Sequence, residues 1–423
     1  MNQLSSEFEI NLEKYAEVIV EVGLNLQRGQ RLLIGTPTSG NRGVPIELAP
    51  LVRLIMKKAY QIGARLVDVM WDDDQLQLIR YKYAPRDSFE EFATWRTDGA
   101  FDIAKEGDAM LIIKAQNPDL LSVQDSNLII IAKRTFLKYN RPASELRRKN
   151  LVNWMVVAAP VRGWADKLFP ELPQNERKAK FWDTIFEICR VKTKDPILEW
   201  KNHINQLITR CSYLNHKKYS ALKFVAPGTD ITIGLPLGHV WKSAHFTTQN
   251  GINNIVNIPT EEIFTIPHKY KTEGVVKATK PIVSDVLIED LRLKFSNGKV
   301  TDVSASKGEK FLRDLIKTDK GASHLGEVSL VPHSSPISQT GRLFYSILID
   351  ENASCHLALG SGIKTCLENG VKMSDEEFSK AGGNQSILHL DFMIGSEKID
   401  VDGITKDGKS EPIMKKGEWV FRI

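Results

Sequence analysis

Two textures of hydrophobic and polar positions succeed one another along the chain. In the first half, short apolar runs alternate with longer stretches of helical period. RLLIGTP (31–37), ARLVDVMW (64–71), DAMLIIKAQ (108–116) and NWMVVAAP (153–160) read as strands. IELAPLVRLIMKKAYQIGA (46–64) repeats its apolar positions with helical spacing and stops at Gly63. Further helices are predicted around 75–83, 87–97, 126–139 and 174–190, although the apolar run of 126–139 alone would also fit a strand. Strands alternating with helices imply a parallel sheet covered by helices, an α/β domain over 1–195. DPILEWKNHINQLITRCSYLN begins with an Asp-Pro start signal, which predicts a connecting helix over 196–214.

From 215 to 423 the pattern changes to short β-rich runs punctuated by Gly, Asn and Pro, such as ALKFVAP, TDITIGL, EVSLV and LFYSILID. SNGK (296–299) predicts a hairpin turn, and 307–325 predicts a helix. The expected second domain is mixed α+β, mostly antiparallel.

A chain of 423 residues exceeds one ordinary core, in agreement with two domains. Lys and Arg (57) exceed Asp and Glu (52) by 5, and the excess is spread along the chain. The basic run RTFLKYNRPASELRRKN lacks a recognised nucleic-acid motif, and no nucleic-acid partner is expected. GTPTSGNRG after the first strand lacks a phosphate-binding fingerprint. Acids interrupt every apolar stretch of MNQLSSEFEINLEKYAEVIVEV, which speaks against a leader or a membrane span. Four cysteines without a C-x-x-C make a reducing, cytoplasmic setting the default.

The candidate chemistry lies in the last part of the chain. Glu261 (NIPTEEIFTIP), Glu327 (LGEVSLV), His356 (ENASCHLALG), His389 and Asp391 (SILHLDFMIGS) are potential metal ligands. Carboxylates mixed with imidazole suit Zn²⁺, Co²⁺ or Mn²⁺, and carboxylates can bridge two ions. Residues 389 and 391 share one face of a strand, roughly 6–7 Å apart, so both can hold one ion. An acid in the apolar strand context of Glu327 is costly unless paired or metal-bound. In a two-metal hydrolase a carboxylate must also take the proton of the attacking water, and Glu262 is the candidate for that or for supporting the ligands. Cys355 beside His356 reads as a packed small residue, and Trp241 as a core or pocket-lining residue. His268 and His333 read as surface or substrate-pocket positions.

NIPTEEIFTIP, GHVWKSA, LGEVSLVPHSSPIS, FYSILIDENASCHLALG and HLDFMIGSEKIDVDGITKDG resemble the thermophilic-type metallo-aminopeptidases, the group of aminopeptidase T, aminopeptidase S and PepS. So do LEKYAEVIVEVGLNLQRGQRLLI, KKAYQIGARLVDV, GWADKLFP and DPILEWKNHINQL, and the resemblance covers essentially the whole chain. It implies a cytoplasmic, homodimeric exopeptidase that removes N-terminal amino acids from peptides with two divalent ions. It implies Glu261, Glu327, His356, His389 and Asp391 as ligands, and adds Glu351 of IDENASCH. The chain departs from the family where a tyrosine normally follows the HLALG motif: Ile363 stands there and cannot donate a hydrogen bond. A metal-binding relative with weak or lost peptidase activity, serving in peptide binding or regulation, is therefore the alternative. A two-metal phosphoesterase is a second one.

Overall fold

The computed structural model describes residues 6–38, 42–283 and 286–421. The chain divides into two units: the chain up to His203 with His245–Pro259, and Ile204–Ala244 with the chain from Thr260.

The first unit holds a five-stranded, all-parallel sheet. Its strands are β1 (Arg31–Ile34), β2 (Leu66–Val69), β3 (Ala109–Lys114), β4 (Trp154–Ala158) and β5 (Asn257–Ile258), in the order β5-β4-β3-β1-β2. β3 carries AMLIIK, buried along nearly its whole length, as a central parallel strand covered on both faces must be. Helices occur where the period predicts them, at Ala49–Gln61, Asp74–Tyr83, Gln174–Ile188 and Pro196–Lys217. Ser6 and Glu9 cap the first helix reciprocally.

Three helix predictions need correction. The segment 87–97 is a 3₁₀ turn at Arg86–Glu90 followed by a separate helix at Trp95–Lys105. The helix predicted to end at 139 runs through Pro142 to Arg148, so the proline removes one hydrogen bond without ending it. The helix predicted over 307–325 is only Glu309–Leu315. Asp319 then accepts the backbone N–H groups of Gly321 and Ala322 and turns the chain toward a strand.

The domain division also differs from the boundaries at 195 and 215. Residues 245–259 lie inside the predicted second domain but pack in the first unit, where β5 extends the parallel sheet beside β4. Such a return depends on long-range strand pairing, which local pattern does not carry.

The second unit contains two larger sheets. An eight-stranded antiparallel sheet runs from Lys299–Ser304 at one edge to Glu418–Trp419 at the other. The predicted hairpin is in it, with Asn297 (φ 50°) and Gly298 (φ 77°) both left-handed as its turn requires. A four-stranded antiparallel sheet consists of β6 (Ile263–Thr265), β7 (Leu325–Leu330), β8 (His356–Gly360) and β9 (His389–Met393), in that order. Every residue of β6, β7 and β8 is buried, so both faces of this sheet are covered. This smaller sheet carries most of the candidate site.

Candidate metal centre

Strand register collects the candidate residues on one face. Ser329 on β7 is opposite Phe264 on β6 and His356 on β8, and His356 is opposite Met393 on β9. Glu327 is opposite Ala358, which is opposite Asp391. Directly paired residues share a face, and so do residues two apart on a strand. Glu327, His356, His389 and Asp391 therefore project together. Glu262, two residues before Phe264, joins them from the chain entering β6.

Distances agree with the register. His356 Nε2 lies 3.2 Å from Glu262 Oε2 and 3.9 Å from Glu327 Oε1. His389 Nε2 lies 3.3 Å from both Glu327 Oε2 and Asp391 Oδ1. Among the described residues, Glu262, Glu327 and His356 form one group able to hold an ion, and Glu327, His389 and Asp391 form another. Glu327 belongs to both. Glu262, Glu327 and Asp391 are each 7 % exposed at the side chain and His389 is 37 %, so the centre meets solvent on the β9 side.

Backbone carbonyls orient both imidazoles. His356 Nδ1 is 3.1 Å from the Ser354 carbonyl and His389 Nδ1 is 3.1 Å from the Ser361 carbonyl. A carbonyl only accepts, so each Nδ1 carries the hydrogen and each Nε2 turns to the carboxylates. That is the arrangement a histidine ligand needs. The His389 carbonyl contact depends on a close turn after β8. Gly360 has φ 103°, and a Cβ there would lie 2.1 Å from the Leu388 carbonyl oxygen.

The electrostatics call for positive charge. Burial, then the charge of Glu262, raises the Glu327 carboxyl above the ordinary range, against the opposing hydrogen bond from His389. Burial first, then Glu262 and Asp391, pushes Glu351 well above it. Burial alone would lower His356, but the hydrogen bond and charge of Glu262, with Glu327 and Asp391 behind, bring it up to about 10. Burial likewise opposes protonation of His389, and Asp391 and Glu327 overcome it and hold that imidazole well above its usual value. Carboxylates gathered in a buried pocket repel one another and lose hydration unless cations join them. This donor set, oxygen-rich with two Nε2 atoms, fits divalent metal.

The sequence-predicted residues fall as follows. Glu327, His356, His389 and Asp391 come together. Glu351 stands beside them on a 3₁₀ turn (Glu351–Ala353), close enough to feel Glu262, Asp391, His356 and Glu327 electrostatically. Glu261, the expected ligand, lies outside both groups, and its neighbour Glu262, the expected base, lies inside one. Adjacent residues of an extended chain point to opposite sides, so one of the pair faces the centre. The Glu261 backbone N–H donates to Asn352 Oδ1 at 2.7 Å, tying this segment to the turn that carries Glu351.

Sequence reasoning missed Ser329, whose hydroxyl donates to Glu262 Oε2 at 2.8 Å. Its place two residues after Glu327 on a strand was the available signal. It also missed the buried amide of Asn384, which donates to the carbonyls of Gly321 (2.8 Å) and Gly360 (2.6 Å) and joins the loop before β7 to the end of β8. Trp241 is a buried core residue held at both backbone groups by Asn215. The Cys355 thiol contacts the Val331 carbonyl, and burial pushes it up to about 12, so it is inert packing. Lys364, the residue after Ile363, is engaged elsewhere. It pairs with Asp375 at 2.9 Å and donates to the Met373 carbonyl at 2.9 Å.

A sheet face with two imidazoles and at least three carboxylates, buried and cation-demanding, defines a metal-dependent centre. The family model for thermophilic metalloprotease (M29) matches residues 8–419, and the chain belongs to that family. It is 42 % identical to aminopeptidase AmpS of Bacillus subtilis (strain 168), over 98 % of this chain and 99 % of the relative. It is 38 % identical to aminopeptidase PepS of Streptococcus thermophilus, with the same coverage. The solved structure of wild-type AmpT from Thermus thermophilus superposes with a TM-score of 0.91 at 38 % identity, covering 98 % of this chain and all of that one (100 %). A dioxygenase acting on a dihydroxypyridine, from Pseudomonas putida KT2440, shares the fold at a TM-score of 0.51 and 11 % identity. The fold alone therefore does not select the chemistry, and the side chains must.

Proposed function

We propose that this chain is a metal-dependent aminopeptidase that binds two divalent ions, Zn²⁺, Co²⁺ or Mn²⁺, and removes N-terminal residues from peptides. The observation that carries the two-ion reading is Glu327, shared between the groups at His356 and His389, each imidazole with its Nε2 turned to carboxylates. Glu262, Glu327, Glu351, His356, His389 and Asp391 would hold the ions. When bound, they would supply Lewis acidity toward the scissile carbonyl and the attacking water. The residues of the chain do the rest. Ser329 holds one oxygen of Glu262 in place. Carboxylates on this face accept the water's proton and pair with the substrate's α-ammonium. A cytoplasmic setting accords with four buried cysteines, none of them in a disulfide. No helix among the described residues is long and apolar enough to cross a membrane. A homodimer is the assembly the family resemblance implies.

The direct test is metal analysis of the purified protein with a leucyl-p-nitroanilide assay, with and without added Co²⁺ or Zn²⁺. About two equivalents of metal and metal-dependent release of p-nitroaniline are expected. A protein that holds no metal after reconstitution, or that hydrolyses p-nitrophenyl phosphate instead, sinks the proposal.

Glu261 and Glu262 are separable by substitution. Glu262→Gln is expected to lose about one equivalent of metal, whereas Glu261→Gln keeps both ions. Plasma mass spectrometry decides it. Full metal content in Glu262→Gln with a collapsed kcat would return Glu262 to the role of base alone.

Ile363 sets the activity level. Loss of one oxyanion donor costs on the order of a hundredfold or more in rate. Ile363→Tyr is expected to raise kcat by roughly tenfold with metal content unchanged. Lys364→Ala is expected to leave kcat unaltered because its ammonium is already engaged. A slow wild type left slow by Ile363→Tyr would favour the peptide-binding alternative.

A further inference from the structure

Away from the metal centre, the second unit has a cavity of about 580 Å³ between the edge strand Lys299–Ser304 and the segment that follows helix Glu309–Leu315. Its charged lining is Lys299, Lys317, Lys320, Arg313, Asp302 and Asp319. The two acids are already engaged. Asp302 lies 3.7 Å from Arg313, whose Nε also binds Glu309 at 2.8 Å. Asp319 is saturated by four donors: the N–H groups of Gly321 and Ala322 on one oxygen, and the Ser386 hydroxyl and Ile387 N–H on the other. Lys299, Lys317 and Lys320 have no ion-pair partner among the described residues. Four basic side chains against two acids therefore leave this concavity of ligand-site size with a net positive lining.

We infer that this cavity binds a small multivalent phosphate anion. Three separated ammonium groups on flexible stems match several phosphoryl oxygens better than one carboxylate, and lysine binds phosphate as a point charge. The site is wired to the metal centre by covalent and hydrogen-bonded neighbours. Asp319 holds Ser386 and Ile387, and His389 follows two residues later at the start of β9. Gly321, whose N–H donates to Asp319, accepts from Asn384, which also holds the Gly360 carbonyl opposite His389. Drawing Lys317 and Lys320 onto an anion stiffens the wall that anchors these contacts, so occupancy reduces opening of the strand bearing His389 and Asp391.

Inorganic pyrophosphate is the probe, titrated by calorimetry into the metal-loaded wild type, Lys317→Glu/Lys320→Glu and Glu327→Gln. Pyrophosphate also binds metal, and the two variants separate the sites. The expected result is an event weakened roughly tenfold or more by the lysine reversals, weakened further by salt, and retained in Glu327→Gln. Circular dichroism and unchanged metal content verify that the lysine variant is folded. Equal affinity in wild type and the lysine variant, or loss of binding in Glu327→Gln alone, overturns the site. Amide exchange across Ser386–Asp391 is expected to slow when pyrophosphate binds the wild type. Unchanged exchange at saturation overturns the link to the metal centre. These outcomes do not depend on which bond the metal centre cleaves.

Discussion

Glu327→Gln is expected to strip metal from the centre and lower kcat/KM by about a thousandfold. Glu327 is the residue common to both ligand groups, one oxygen toward His356 and the other toward His389. Glutamine is close to its size but neutral, and its amide nitrogen cannot ligate. The loss is therefore expected to fall on both ions of the proposed pair. Lewis-acid stabilisation by a bound ion is worth several kcal/mol, and about 4 kcal/mol corresponds to roughly a thousandfold in rate. The fold is expected to survive, because removing one buried negative charge also relieves repulsion from Glu262 and Asp391. Metal content by plasma mass spectrometry and kcat/KM on leucyl-p-nitroanilide check it. Full metal content in the variant would remove Glu327 from the ligand set.

Acetylating the substrate's N-terminus is expected to lower cleavage by at least about a hundredfold. The centre gathers Glu262, Glu327, Glu351 and Asp391. Two divalent ions would balance these four charges overall, but a carboxylate held through one oxygen keeps the other as an acceptor, and a free α-ammonium brings it N–H donors and positive charge. An acetyl group brings none and adds bulk where the chain should end. Leaving a desolvated carboxylate without its partner costs about 3–5 kcal/mol, which sets the hundredfold floor. The check is a peptide pair differing only at the N-terminus, followed by mass spectrometry of the products. Efficient internal cleavage of the acetylated peptide would mean an endopeptidase.

Much of this protein was legible in the chain by itself. Alternating apolar runs and helical periods specified an α/β half, because a parallel strand buried on both faces must be continuously apolar and its crossover must be helical. Asn297-Gly298 specified its hairpin, since that turn needs two left-handed residues. Candidate ligands were legible too. An acid inside LGEVSLV is expensive unless something binds it, an H-x-D points to metal only in the company of the other motifs, and the long motifs named the family that the comparisons bear out.

Only the tertiary structure decided the remainder, and each part of it turns on pairing between distant residues. Which member of Glu261-Glu262 faces the centre depends on the register of β6 against β7, and a shift of one residue would exchange them. Ser329 became part of the site because β7 sets it opposite both Phe264 and His356. Residues 245–259 returned to the first unit because β5 found an open edge at β4, far away in sequence. Spacing along a chain records which side chains share a strand face. It does not record which strands meet, and the meeting of β6, β7, β8 and β9 is what turns scattered acids and histidines into one centre.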